Sequence, residues 1–73
     1  MTQLQYNIFI KQLKTFHTAQ VAGHTFTIKD RVPKGIYELE DIYKGSMAIL
    51  YVGEFDSCIE ATVETLKLMG EIA

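Results

Sequence analysis

The stretch "SMAILYVGEF", beginning at Ser46, constrains this chain more than any other. Met47, Ile49 and Tyr51 occupy one set of alternate positions, and Ala48, Leu50 and Val52 the other. A strand that is apolar at both parities reads as one with protein on both faces. The pattern predicts that residues 46–53 form the most buried strand, at the centre of a sheet.

That demand is hard to meet in 73 residues. Such a length holds one domain, residues 1–73, with one core. A domain of this size buries only about 60% of the surface its unfolded chain exposes. Disulfides, a metal or oligomerisation are the usual reinforcements. Cys58 is the only cysteine, which rules out an internal disulfide. His17, His24 and Cys58 lie far apart and match no zinc spacing, so no metal or other cofactor is expected. Self-association or a partner chain then stands beside an unusually good small core.

Apolar residues make up 48% of the chain, ordinary for a folded protein and too many for disorder. The net charge is −2, from seven basic and nine acidic side chains. This balance gives no general attraction for nucleic acid, and it lacks the dense acidity of a DNA mimic. "YNIFI" is too short for a secretory apolar region, and no basic residue precedes it. No apolar run approaches a membrane span. With a lone thiol as well, a cytoplasmic location is the simplest expectation.

The order of elements is legible. Thr2 and Gln5 form a T-x-x-Q capping box. Tyr6, Phe9, Ile10, Leu13 and Phe16 continue as a helical stripe, with Lys11, Gln12 and Lys14 outside it. Leu4, Tyr6, Ile8 and Ile10 also alternate as a strand would. Leu13 and Phe16 break that alternation and favour the helix. A hairpin follows over 16–21 and 24–29, turning at Ala22-Gly23 and setting Val21 opposite His24 and Ala19 opposite Phe26.

Pro33 and Gly35 shape the next turn. Residues 36–43 then form a strand with Tyr37 and Leu39 on one face and Glu38 and Glu40 on the other. The alternation slips at Asp41-Ile42, which suggests a bulge there. Lys44-Gly45 makes a turn into the 46–53 strand. Ser57 and Glu60 read as an S-x-x-E capping box opening a last helix, with Phe55 just upstream. Its polar strip is narrow: Glu60, Glu64, Lys67 and Glu71. Ile59, Val63 and Leu66 are expected to face the sheet, while Ala61, Leu68 and Ile72 point to one side. The fold class is therefore α+β, ordered α-β-β-β-β-α: a four-stranded, mainly antiparallel sheet packed with two helices, most simply on one face.

No catalytic pattern emerges. Nothing near His17 or His24 in the sequence orients either as a general base. Cys58 falls in the first turn of the last helix, where the dipole would lower its pKa, but a small buried cysteine explains it more simply. Glu38, Glu40 and Asp41, or Glu54 and Asp56, do not have EF-hand spacing. The glycines fall at turns and form no phosphate loop.

These features point to a small, non-enzymatic protein-binding module: a regulator, adaptor or inhibitor acting through an apolar and tyrosine-bearing surface. Small single-domain inhibitors carried by phages and mobile elements are of this general type. A protein partner and a homo-oligomer are both expected. Arg31, Lys34, Tyr37, Tyr43 and Tyr51 are the candidate partner-binding residues, because arginine and tyrosine suit hot spots. Leu50, Val52, Ala61, Leu68 and Ile72 are the candidate oligomer interface. The alternative is a nucleotide- or nucleic-acid-binding protein using Lys29, Arg31, Lys34 and the nearby tyrosines, whose three cations supply little phosphate affinity.

Overall fold

The computed structural model describes all 73 residues. Helix α1 spans Gln3–Phe16, followed by strands β1 (Thr18–Val21), β2 (His24–Asp30), β3 (Tyr37–Tyr43) and β4 (Ser46–Gly53), and helix α2 spans Phe55–Leu68. The expected α-β-β-β-β-α order holds. The strands form one open antiparallel meander in the order β1-β2-β3-β4.

Local chemistry explains the boundaries. Thr2 caps α1 as the sequence indicates: its Oγ1 accepts from the Gln5 backbone N–H at 3.1 Å, and Gln5 Oε1 accepts from the Thr2 N–H at 2.8 Å. Ala22 and Gly23 both have positive φ, as do Lys44 and Gly45. Two consecutive positive φ values mark the type I′ hairpin turn, whose twist matches that of the flanking strands. The first turn sets Ala19 opposite Phe26 and Val21 opposite His24, the expected register. The first hairpin strand begins only at Thr18, because α1 runs through Phe16. The 31–36 connection closes with Arg31 N–H donating to Ile36 C=O at 2.9 Å, and its Val32–Pro33 peptide is cis.

Helix α2 starts earlier than the Ser57–Glu60 box implies. Glu54 occupies the N-cap without a side-chain cap bond, and Phe55 is already helical. The Phe55 ring packs against Tyr37 at 5.2 Å and His17 at 4.9 Å between centroids. Burial of that ring ties the first turn to the sheet. At the other end Lys67 pairs with Glu64 at 3.3 Å.

One core joins the layers. Phe9 and Leu13 of α1 and Cys58, Ile59 and Leu66 of α2 pack with Ala19, Phe26, Ile28 and Leu39 of the sheet. Ala19 faces Phe26 and Ile28 faces Leu39 across the strands, so all four side chains project from one face. Both helices therefore cover that face, and no element covers the other. Phe9 meets Phe26 edge-on at 6.0 Å. Thr62 is buried among these residues with its hydroxyl donating to the Cys58 carbonyl, whereas Val63 stays half-buried. Phe16, the last residue of the α1 stripe, is exposed beyond the sheet.

The largest departure from the sequence reading is β4. It is an edge strand, and Ser46 through Val52 are all exposed. The apolar pattern at both parities states what these residues would bury; the chain's own fold does not bury them. The bulge also lies elsewhere than Asp41-Ile42. Leu39 faces Tyr51 and Glu40 faces Ile49, leaving Leu50 as an extra residue in β4. This shift reassigns the faces. Ala48 and Tyr51 share the helix-covered side, and Met47, Ile49 and Val52 share the open side.

Candidate functional site

The open face of the sheet changes chemistry from one edge to the other. β1 and β2 present threonines, with Thr18 and Thr27 hydroxyls 3.4 Å apart. Ion pairs follow: Lys29 Nζ lies 3.1 Å from Glu40 Oε1, and Arg31 pairs with Glu38. Ile42, Met47, Ile49 and Val52 then form an apolar margin along β3 and β4. Leu50, Tyr51, Val52, Ile49 and Met47 are between 37% and 54% exposed.

The free edge of β4 is what makes this margin unusual. Eight residues run without a proline or a charge. Soluble proteins ordinarily protect an edge with short strands, lysine, proline or a bulge, because its unpaired N–H and C=O groups invite another strand. Here only the Leu50 bulge is present. The opposite edge, β1, has four residues and packs beside α1. Charges appear only at the ends of β4: Lys44 before it, Glu54 and Asp56 after it. All three are exposed and make no ion pair within the chain. Lys44 Nζ rests 5.2 Å from the Tyr43 ring centroid. Tyr51 folds back over Gly53, so closely that a Cβ at that glycine would lie 2.6 Å from the ring.

The residues singled out in the sequence separate into groups. Leu50, Val52 and Tyr51 come together on β4. Tyr43 lies at the other end of the same strand pair, opposite Ser46, with its ring stacked on His24 at 4.0 Å. Tyr37 belongs to the cluster with Phe55 and His17 and packs against the core. Ala61 and Ile72 also pack against the core of the same chain, and Leu68 stands 89% exposed at the end of α2. Arg31 is held by Glu38, and Lys34 is exposed in the turn. Of the three cations offered for nucleic acid, two are therefore neutralised by carboxylates on the neighbouring strand.

Glu40 is 4% exposed although it sits on the open face. Hydrogen bonding with Glu38 and with Lys29, reinforced by the lysine charge, holds its carboxyl below the ordinary value against the opposing effect of burial. The interaction settles a charged group in the middle of the sheet, beside the apolar margin.

One arrangement escaped the sequence reading. His24 Nδ1 lies 2.9 Å from both carboxylate oxygens of Asp41, with the imidazole between Phe26 and Tyr43. The signal lay in the register: once His24 faces Tyr43, Asp41 is two residues along the same face of β3. Such a pair can orient an imidazole. Ser46, the only serine or threonine in that register row, lies beyond β3 on the next strand. Cys58 is fully buried, and desolvation raises its thiol pKa despite a backbone hydrogen bond involving Gly53. No three histidine, cysteine or acidic side chains gather closely enough to hold a metal ion, and no helix is long and apolar enough to cross a membrane. Comparison with family models, with curated proteins and with solved structures finds no match to this chain.

Proposed function

We propose that this chain is a non-enzymatic protein-binding module, and that β4 is its binding element. The observation that carries the reading is the uncharged eight-residue free edge, apolar and exposed on both sides. An extended segment of another chain can pair with such an edge through the main chain, while Met47, Ile49 and Val52 supply apolar contact on the open face. Tyr43 and Tyr51 add half-exposed rings of the kind that dominate interface energetics. Regulators, adaptors and inhibitors all act in this manner. A role without chemistry is supported by the buried, poorly ionised Cys58 and by a His24–Asp41 pair with no nucleophile beside it. Nucleic-acid binding has weaker support, because Lys29 and Arg31 are engaged by Glu40 and Glu38.

The test is a comparison of wild type with Ile49→Lys. Light scattering reads self-association, and quantitative affinity capture from lysate reads foreign partners. The expected result is that at least one bound protein, a further copy or another chain, is lost from the variant, while its circular dichroism is unchanged and its melting matches that of wild type diluted to the monomer. If neither assay distinguishes the two proteins, β4 is not a binding element.

A further inference from the structure

We propose that the occupant of the β4 edge is a second copy of the same chain, paired antiparallel about a twofold axis between Ile49 and Leu50. This rests on the reading of β4 as a binding element and specifies its partner.

Two independent observations are met by the same antiparallel register. The first is the bulge. In a two-fold antiparallel pair, opposite residues must project from the same face. A regular strand meets that condition only when the two residue numbers sum to an even value. The extra residue at Leu50 reverses the alternation midway along β4. The condition then calls for an odd sum across the bulge. A sum of 99 places Met47 opposite the partner's Val52, both on the open face. It places Ala48 opposite the partner's Tyr51, both on the helix face. A device that ordinarily guards an edge is thus accommodated on the twofold axis.

The second observation is charge. The same register ends the ladder at Ser46 opposite the partner's Gly53, so the turn that bears Lys44 comes to the end of the strand from which the partner's Glu54 and the partner's Asp56 follow. The pairing is repeated at the other end by symmetry. Lys44, Glu54 and Asp56 are the unpaired charges bounding β4, with the cation at one end and the acids at the other. Antiparallel pairing joins opposite charges at both ends, whereas parallel pairing would set like against like. Between them β4 carries no charge that would repel its own copy. The product is one eight-stranded sheet with all four helices on one side. The two apolar margins become a single band on the other side.

The full chain is measured by sedimentation and native mass spectrometry across a wide dilution series. A dimer of twice 8.3 kDa is expected. Ile49→Lys places two ammonium groups near the axis and should weaken the dimer about a hundredfold or more. Lys44→Glu and Glu54→Lys should each weaken it by about tenfold, since each sets like charges at two exposed ends. Mixing those two variants restores opposite charges at both ends, so the mixture should form the heterodimer in preference to either homodimer. A monomer at every concentration overturns the proposal, as does a dimer indifferent to Ile49→Lys. A mixture without heterodimer preference overturns the antiparallel register. A monomer that still loses a lysate protein on Ile49→Lys removes the second copy but leaves β4 as a docking edge. Loss of neither removes both readings.

Discussion

β2 and β4 both carry large apolar side chains, and those side chains have opposite fates. β2 places Phe26 and Ile28 under both helices and fills its other face with Thr25, Thr27 and Lys29. β4 has apolar side chains on both faces and buries none of them. The difference in burial follows position and runs against composition. β2 has strands on both sides, whereas β4 has β3 on one side and nothing on the other. Apolar composition therefore reports the surface a strand is suited to covering, and topology decides whether the chain itself provides the cover.

Substitution of matched residues breaks or sharpens this contrast. The largest effect is expected at Phe26, which is fully buried. Phe26→Ala should cost about 3–5 kcal/mol, enough to unfold much of a marginal domain. Phe26→Leu should retain the fold at a smaller cost. Denaturant titration at high dilution measures both, and a loss below about 1 kcal/mol for the alanine variant would break the assignment of β2 to the core.

An intermediate effect is expected where the two regions meet. Lys29→Met leaves Glu40 buried without its cation. The cost is about 1 kcal/mol at neutral pH, discounted because the Lys29 side chain is itself more than half exposed. The sign of the pH dependence follows from the lowered carboxyl pKa of Glu40. In the folded chain this group takes up a proton less readily than in the unfolded one. Its contribution is complete above the ordinary carboxylate range and is lost as pH falls through the folded pKa. The stabilities of wild type and Lys29→Met should converge in acid, and a gap that persists there would remove the ion pair as its cause.

The smallest effect is expected on β4. Ile49→Thr and Val52→Thr should each change the stability of the dilute monomer by under about 0.5 kcal/mol, as exposed positions do. Both retain a β-branched side chain suited to a strand. Loss of stability comparable to that of the Phe26 variants would mean that β4 is covered within the monomer.

Much of this was legible in the sequence. The capping box at Thr2, the Ala22-Gly23 turn and its register, and the element order all follow from short-range chemistry. The misplacement of β4 arose from reading its two apolar faces as a report of centrality. The two-residue turns at 22–23 and 44–45 hold β1 beside β2 and β3 beside β4. The pairing of β3 with β2 across the 31–36 connection completes the meander and leaves β4 at an edge. The slipped alternation at Asp41-Ile42 does not mark the bulge, because the extra residue is Leu50 of β4, within a run that is apolar at every position. Ser57 failed as a cap because Phe55, tethered to Tyr37 and His17, is the first helical residue and moves the cap three residues back, to Glu54. The His24–Asp41 contact depends on pairing between strands that the local pattern does not fix. Of the candidate binding residues, those on β4 lie together. Ala61, Ile72 and Tyr37 were drawn into the monomer because both helices pack on one face.

The meander has a bearing on how the chain assembles in time. Each strand pairs only with the one made just before it, so every step closes a short loop of chain at low entropic cost. During synthesis β1, β2 and β3 can zip in the order they emerge, and β4 joins last among the strands. The sheet thus grows by accretion at a single moving front. When the chain has folded, that front has come to rest on β4, whose outer N–H and C=O groups no later strand of the chain takes up.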